Sequence, residues 1–372
     1  MEYFFTTQQL TVGYQKKPLI RDIEIRLKKG EILTLIGPNG AGKSTILKSI
    51  AKQLSLIGGV VCLEKEDLAQ MSGQRLAQRM AVVFTERMRT ELMTCEDVVA
   101  TGRYPYTGRF GLLSEKDIAA VREAMELVHV AELKGREFSR ISDGQRQRVM
   151  LARAICQEPE IVILDEPTSF LDVKYKLEFL SVLQEMRRKK GLTVIMSLHE
   201  LELAAKISDR VLCIGGEYVD RFGEPEEIFV PGYVTRLFQI STGSFDEESG
   251  GLELEPPKGK AEVFVIAGGG TGKGTFRRLQ REGTAFISGI LFQNDLDYPV
   301  ARALASEVIA AESFEPVSPE LLAEAKRRMD GCSRVICCRE HFGSLEQANR
   351  ELLSYAEESG KQVIMSGREK KN

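Results

Sequence analysis

The chain lacks several features that mark membrane-embedded, exported or polyanion-binding proteins. It has no tryptophan, only 3 histidines and a formal net charge of -3 over 372 residues. This small negative net charge gives the protein no overall positive potential that would attract nucleic acid, so we expect no nucleic-acid partner. No run approaches the roughly 18 continuous apolar residues of a membrane span, and the first ten residues carry no charged-then-apolar export signal. We expect a cytoplasmic protein unless a partner recruits it elsewhere.

The sequence also lacks closely spaced cysteine pairs of the kind that bind metals or form redox sites. The 7 cysteines are scattered and form no C-x-x-C pair. This pattern favours reduced, mostly buried thiols. Cys332, Cys337 and Cys338 lie close together in sequence, so a metal or redox role stays open for them. The basic cluster 187–190 is interpreted as a solvated helix end.

Length and pattern both predict two compact units. Up to about residue 240, strand-like apolar runs alternate with helical periods, which is typical of a parallel sheet flanked by helices. Residues 241–260 are rich in Gly, Ser, Glu and Pro and are interpreted as a linker. Residues 261–372 alternate again and predict a smaller, Rossmann-like α/β domain. Its predicted strands are at about 262–267, 285–291, 334–338 and 362–365, and its predicted helices near 274–282, 298–310, 319–329 and 344–358.

The clearest motif is GPNGAGKST at residues 37–45, directly after the apolar run 32–36. It satisfies the phosphate-loop pattern G-x-x-x-x-G-K-[ST]. Glycines let backbone N–H groups approach phosphates, and the following helix start adds positive potential. The sequence therefore predicts a nucleoside triphosphate site. Its predicted binding residues are Gly37, Pro38, Asn39, Gly40, Ala41, Gly42, Lys43, Ser44 and Thr45.

A second motif, IVILDEP at 161–167, is an apolar strand that ends in two carboxylates. Ligands bind at the carboxyl ends of strands in open α/β sheets. Asp165 is therefore expected to hold magnesium beside Ser44, and Glu166 to polarise an attacking water. A helix-capping acidic pair is the alternative. Between the two motifs, 141–155 carries a serine, a glycine turn and a helix start, which together favour an anion site.

The order and spacing of these segments resemble the ATP-binding subunits of ATP-binding-cassette (ABC) transporters over nearly all of residues 1–240. The resemblance rests on five segments: the phosphate loop 37–45, ISDGQ at 141–145, ILDEP at 163–167, SFLD at 169–172 and SLHE at 197–200. It implies the phosphate-loop NTPase fold of that family. This fold has a parallel-sheet core, an antiparallel edge and a helical subdomain.

The resemblance also implies a mechanism. Two subunits would form a head-to-tail homodimer that holds two ATP molecules and hydrolyses them to ADP and phosphate. Lys43 and Mg²⁺ would neutralise phosphate charge, Glu166 would align water, and His199 would orient the γ-phosphate. Further implied contacts are Tyr14 stacking on adenine, Asp172 linking the two sites, and Ser142, Gly144 and Gln145 binding the ATP of the partner.

Two positions depart from the family pattern. Glu86 stands where the family usually has a glutamine; a carboxylate there can ligate Mg²⁺ or hold water, but it cannot donate a hydrogen bond when ionised. Asp143 stands where a glycine is commoner, so its side chain is expected to point away from the γ-phosphate.

The segment GRYPY at 102–106, within 88–108, resembles importer ATPases that serve iron–siderophore, haem and cobalamin permeases. It implies that this region, as a hydrophobic, aromatic and arginine-bearing patch, forms the surface that docks a membrane permease partner. A purely structural turn built on Pro105 is the alternative. The resemblance also implies a substrate-binding protein beyond the permease and a peripheral position on the cytoplasmic face of the membrane. A soluble cassette ATPase that switches another macromolecule is the alternative; such proteins usually carry two cassettes in one chain. A metabolic kinase has no use for ISDGQ and SLHE.

The second unit opens on AEVFVIAGGGTGKGTF, residues 261–276. Neither the phosphate-loop pattern nor G-x-G-x-x-G is satisfied there. A tight turn beside a helix start remains, which is a generic anion-friendly site that 294–298 is expected to line as well. A structural turn, a regulatory small-molecule site and a second catalytic site all stay open.

Overall fold

The structure is a computed structural model that describes residues 2–84, 92–108, 110–247 and 250–366. The chain divides into two compact units, Met1–Phe238 and Gln239–Asn372.

The first unit combines strands with short and medium helices. Its strands are β1 (Phe5–Tyr14), β2 (Lys17–Leu27), β3 (Ile32–Ile36), β4 (Gly58–Leu63), β5 (Glu66–Asp67), β6 (Met80–Val83), β7 (Ile161–Leu164), β8 (Thr193–Ser197), β9 (Arg210–Gly215) and β10 (Tyr218–Gly223). Its α-helices are α1 (Lys43–Ile50), α2 (Gly73–Arg79), α3 (Cys95–Ala100), α4 (Glu115–Leu127), α5 (Asp143–Cys156), α6 (Val173–Lys190), α7 (Leu201–Ile207), α8 (Pro225–Ile228) and α9 (Tyr233–Leu237).

These strands form one sheet in the order β5-β4-β1-β2-β10-β9-β3-β8-β7-β6. The half from β9 to β6 is parallel, and every residue of β3, β7 and β8 is buried, as expected for strands covered on both faces. The other half pairs mainly antiparallel, through β1, β2, β4 and β5. The predicted parallel core with an antiparallel edge is confirmed.

A helical layer forms where α5 packs against α3 and α4. Each of these helices is preceded by a Ser or Thr whose side chain caps the backbone, with a reciprocal capping box. This layer is the predicted helical subdomain. The basic cluster 187–190 lies in the last turn of α6, which ends at Gly191 with a left-handed backbone, so its interpretation as a helix end is confirmed.

The second unit contains β11 (Ser244–Asp246), β12 (Gly251–Glu253), β13 (Val263–Ile266), β14 (Phe286–Phe292), β15 (Glu307–Ala311), β16 (Arg334–Cys337) and β17 (Gln362–Met365), with α10 (Lys273–Arg281), α11 (Tyr298–Leu304), α12 (Pro319–Asp330) and α13 (Gln347–Glu358). Strands β13 to β17 form a parallel sheet in the order β15-β14-β13-β16-β17. This order, in which the chain reverses direction beside β13, is that of a doubly wound α/β fold.

Successive side chains of β13 point to opposite faces of this sheet, and each face carries its own hydrophobic core. Val263 and Val265 pack with Phe276 and Leu304, which lie on α10 and α11. On the opposite face, Phe264 belongs to a cluster that includes residues of α12 and α13. Helices therefore cover both faces, and the short apolar runs of the sequence are explained as buried parallel strands.

Two sequence predictions for this unit need correction. Residues 298–310, predicted as one helix, form α11 and then strand β15. In addition, the interpreted linker 241–260 contains β11 and β12, which pair antiparallel. Local composition favoured a helix in the first segment and a loop in the second. Whether a segment forms a strand depends, however, on the strand that it pairs with, which local composition does not show.

Among the described residues, no helix is long and apolar enough to cross a membrane. All 7 cysteines are free, and those at 95, 156, 213, 332 and 337 are buried. Burial raises the pKa of Cys156 and of Cys213 to about 12. The described residues contain no cluster of three or more potential metal-ligating His, Cys, Asp or Glu side chains.

Candidate active site

The phosphate loop joins β3 to α1 through glycines that another residue could not replace. Gly37 and Gly42 have φ values of 151° and 96°. A Cβ atom at Gly37 would lie 2.6 Å from the carbonyl oxygen of Ile214, which belongs to the neighbouring strand β9. Helix α1 begins without a side-chain cap, so its first N–H groups remain available to an anion.

Lys43 is buried at the first position of α1. Its Nζ donates to the carbonyl oxygens of Gly37 at 2.7 Å and Pro38 at 3.1 Å. Burial lowers its pKa, and the nearby carboxylates of Glu166 and Asp165 oppose that shift. The ammonium is thus held inside the curve of the loop, where phosphates of a nucleotide would replace the carbonyls as its partners.

Three hydroxyl and carboxyl side chains meet where β7 and β8 end. Ser44 Oγ donates to Asp165 Oδ1 at 3.0 Å, and Ser197 Oγ donates to the same oxygen at 2.7 Å. Ser197 Oγ also accepts the backbone N–H of Glu166 at 2.9 Å. The expected approach of Asp165 to Ser44 is present, and these hard oxygen donors suit Mg²⁺.

Glu166 and His199 form the outer part of the same group. Glu166 Oε1 lies 2.5 Å from His199 Nε2, and both side chains are about one-third exposed, 31% and 37%. Glu166 has a left-handed backbone with φ of 49°, and its carbonyl oxygen accepts from Gln147 Nε2 at 3.2 Å. The carboxylate is therefore fixed at the edge of the sheet and accessible to water.

Tyr14 lies beside the phosphate loop: its hydroxyl is 3.1 Å from Thr45 Oγ1. The side chain is 52% exposed, so its ring is accessible for stacking. Asp172 caps α6 by accepting from Tyr175 N at 3.0 Å. Glu86 lies outside the described residues.

The signature-like residues surround the start of α5. Ser142 Oγ accepts from Gln145 N at 3.2 Å, and Gln145 Oε1 accepts from Ser142 N at 3.0 Å. A Cβ atom at Gly144 would lie 3.2 Å from the carbonyl oxygen of Phe170. Asp143 pairs with Arg146 on the next turn. Its carboxylate is thus turned along its own helix.

Sequence reasoning missed two residues that hold the site together. Ser197 was part of the SLHE match but received no role, and Gln147 was not singled out. The signal for Ser197 was its position at the end of β8, because neighbouring parallel strands end at the same edge. Gln147 gave no local signal: its partner Glu166 is 19 residues away.

The GRYPY segment differs from its predicted surface. Arg103, expected in an exposed arginine-bearing patch, is 2% exposed. Its guanidinium binds Asp117, whose pKa is lowered to about 2, first by hydrogen bonds from Ser114 and further by Arg103. Tyr104 does lie on the surface, at 60% exposure. The segment thus has a buried cation and an exposed aromatic ring.

In the second unit, the glycine turn after β13 is filled by the protein itself. Gly269 N donates to Asp295, and Gly272 N and Lys273 N donate to the fully buried Asp297 at 2.9 and 3.1 Å. Residues 294–298 do line this turn, as expected. The generic anion site is nevertheless corrected, because carboxylates already occupy its N–H donors. Burial, more than neighbouring Asp295, raises the pKa of Asp297.

The fold and the site of the first unit define a phosphate-loop nucleoside triphosphatase. The family model described as ABC transporter matches residues 20–169, and one described as the MJ0874 family matches 286–372. An ABC transporter ATP-binding protein of Methanocaldococcus jannaschii, MJ0873, is 42% identical over 77% of this chain and 99% of its own length. The chain belongs to the ABC transporter family and carries its ATP-binding, ATP-hydrolysing domain.

Other relatives include two named importer subunits. The iron(3+)-hydroxamate import ATP-binding protein FhuC of Bacillus subtilis is 35% identical over 63% of this chain and 87% of its own length. The cobalamin import ATP-binding protein BtuD of Halobacterium salinarum is 29% identical over 83% of this chain and 79% of its own length. A solved inward-facing ABC transporter described as of metal-chelate type matches with a TM-score of 0.57 and 26% identity, over 66% of this chain and 94% of the solved chain.

Proposed function

We propose that this protein is the ATPase subunit of an importer for an iron–siderophore, haem or cobalamin-type cargo, which it drives through a membrane permease. The observation that carries the catalytic part is the continuous contact from Ser44 through Asp165 and Ser197 to Glu166 and His199. The import class is supported by the named relatives and by GRYPY at 102–106.

Each side chain then has a role in hydrolysis. Lys43 binds the phosphates, and Glu166 accepts a hydrogen bond from the attacking water. His199 orients Glu166 and the terminal phosphate relative to each other. Ser44 and Asp165, with Glu86 as the further ligand that the family resemblance implies, would hold Mg²⁺, which would neutralise charge on the phosphate oxygens. Tyr14 packs on adenine. Because these side chains are already held in place before ATP binds, catalysis consists mostly of positioning the phosphate and the attacking water.

We also propose a sandwich dimer in which Ser142, Gly144 and Gln145 of one subunit bind the ATP of the other, with Asp172 linking the two sites. The support for this proposal is that Ser142 caps the start of α5, where the helix dipole favours an anion. A substrate-binding protein would deliver cargo to the permease, and the ATPase would sit on the cytoplasmic face of the membrane.

The test of the importer proposal is purification of the tagged full-length protein from detergent-solubilised native membranes. We expect a stoichiometric polytopic permease, and an ATPase rate in the reconstituted complex that rises when cargo-loaded binding protein is added. Tyr104→Glu should lose the permease, because a charge would enter the exposed face of GRYPY. Tyr218→Glu, at a tyrosine of similar exposure on β10, is the matched control and should retain it. Only soluble partners in every preparation would contradict the proposal.

For residues 261–372 we propose an accessory, regulatory domain that binds a small molecule, such as the cargo or a derivative. A cleft of about 720 Å³ lies at the carboxyl ends of β16 and β17, lined by Thr271, Cys338, Arg339, His341 and Ser366 among others. Its volume suits a small ligand, and the edge beside β13 is where doubly wound sheets bind them.

The cleft can be tested on the full-length chain by calorimetric titration with ferric hydroxamate, haem and cobalamin, with and without ATP. A ligand at one hundred times its Kd should add about 2.7 kcal/mol to the stability of the unit it binds. His341→Ala, at an exposed residue of the cleft, should weaken that binding. His129→Ala, in the first unit, should not. No heat and no rise in melting temperature with any of the three would refute the cargo as ligand.

A further inference from the structure

Arg103 is the largest fully buried side chain of the described residues. It lies in the 3₁₀ turn Thr101–Arg103, directly before Tyr104. Its Nε donates to Asp117 Oδ1, and its Nη1 donates to Glu158 Oε2 and to the carbonyl oxygen of Cys156, each at 2.8 Å. One cation thus joins its own turn to α4 and to the carboxyl end of α5.

The contact with Cys156 lies at the carboxyl end of α5. The last carbonyls of a helix lack intrahelical donors, and a cation there is favoured by the helix dipole. Thr101 Oγ1 also accepts from Arg153 Nε, on the same last turn, at 2.9 Å. At Gly102 a Cβ atom would lie 2.4 Å from the carbonyl oxygen of Arg153. The turn can therefore lie directly against α5 only because residue 102 is glycine.

Tyr106 extends this junction toward the sheet. Its ring lies 4.2 Å under the Arg103 guanidinium, and its hydroxyl donates to the carbonyl oxygen of Gln157 at 2.9 Å. The Gln157 side chain in turn donates to the carbonyl oxygen of Met80, the first residue of β6, at 2.7 Å. Gln78 adds a bond to Pro105 O at 3.0 Å. GRYPY is thereby bound to both α5 and the edge strand.

We infer that Arg103 is a positioning residue for ATP hydrolysis, which fixes the carboxyl end of α5 so that Ser142, at the opposite end, meets the ATP of the partner subunit. Helix α5 has 14 residues and spans about 21 Å as a single rod. A tilt at its Arg103 end therefore moves its Ser142 end. The inference rests on the proposed sandwich dimer.

The experiment is a double-mutant cycle on the full-length protein, with Arg103→Lys and Ser142→Ala. Lysine keeps the charge but cannot make the three fixed contacts of the guanidinium. We expect Arg103→Lys to lower kcat about tenfold or more, as misplacement of a catalytic contact does. The KM for ATP should rise by a smaller factor than kcat falls, since the phosphate loop is untouched. The double variant should be no slower than Ser142→Ala alone.

Arg187→Lys is the matched control, because Arg187 forms a half-buried ion pair with Asp209 away from α5. It should leave kcat unchanged. If Arg103→Lys does not fold, Tyr106→Phe takes its place in the cycle: it keeps the ring under Arg103 and loses only the hydroxyl contacts with Gln157 and Gln78. A smaller decrease in kcat, again absent on the Ser142→Ala background, is then expected.

The outcomes separate this inference from the proposal beneath it. If Ser142→Ala slows turnover and Arg103→Lys slows it further by the same factor, the two residues act independently and the positioning role is overturned. If Ser142→Ala leaves turnover unchanged, the sandwich proposal itself is wrong and the positioning of Ser142 fails with it. No permease is needed, so the result does not depend on the importer proposal.

Discussion

Glu166→Gln should abolish most ATP hydrolysis while ATP binding persists. The amide matches the carboxylate in shape, can still contact His199 and Ser169, and does not change the backbone demand at a position with φ of 49°. It removes the charge that accepts the proton from water, a loss of about 10²- to 10⁴-fold in rate. Single-turnover hydrolysis and equilibrium binding of a fluorescent ATP analogue measure the two effects separately.

Charge explains a second expected property of this variant. One negative group fewer beside the terminal phosphate should tighten ATP binding, so an ATP-bound dimer should accumulate and be visible by size-exclusion chromatography. Glu202→Gln is the matched control: Glu202 is an exposed carboxylate of α7, paired with Lys206 one turn further on. It should hydrolyse ATP at the unaltered rate. Undiminished turnover in Glu166→Gln would remove Glu166 from its catalytic role.

The site could be predicted well wherever the chemistry is imposed by neighbours in sequence. At Gly37 and Gly42 the backbone conformation itself demands glycine, and Lys43 lies directly after them at the start of α1. The strand before Asp165 is apolar because both its faces are buried. Such local constraints leave a pattern that a single sequence displays.

Long-range contacts left no such pattern. Asp297 lies 25 residues after Gly272, whose N–H it accepts, and nothing in the spacing showed that the protein would fill its own anion site. Strand β15 was predicted as helix because its Ala-rich neighbourhood favours helix, whereas pairing with β14 makes it a strand. Arg103 was expected in the patch that docks the permease, and its burial left no local pattern because the acceptor Cys156 lies 53 residues away.

Lys43→Ala should, in contrast to Glu166→Gln, remove ATP binding itself. A charge-assisted hydrogen bond contributes about 1.5 to 3 kcal/mol, and two phosphate contacts in a buried site would cost affinity at least 100-fold. Lys43→Arg should also bind poorly, because the larger planar guanidinium does not fit where the compact ammonium contacts Gly37 and Pro38. Titration with ATP and Mg²⁺ in a calorimeter provides the measurement.

The nucleotide-free protein should tolerate this loss. Burial of the Lys43 ammonium costs free energy, because desolvation disfavours its charged form and lowers its pKa. The alanine variant avoids this desolvation cost but loses two hydrogen bonds to the loop. The melting temperature without ATP should therefore change little, whereas the rise that ATP produces in the unaltered protein should vanish. Lys48→Ala, on the same helix α1, is the control that should keep this rise. Retained ATP binding in Lys43→Ala would mean that the loop backbone and the start of α1 hold the phosphates without the ammonium, and the assignment of Lys43 would then be wrong.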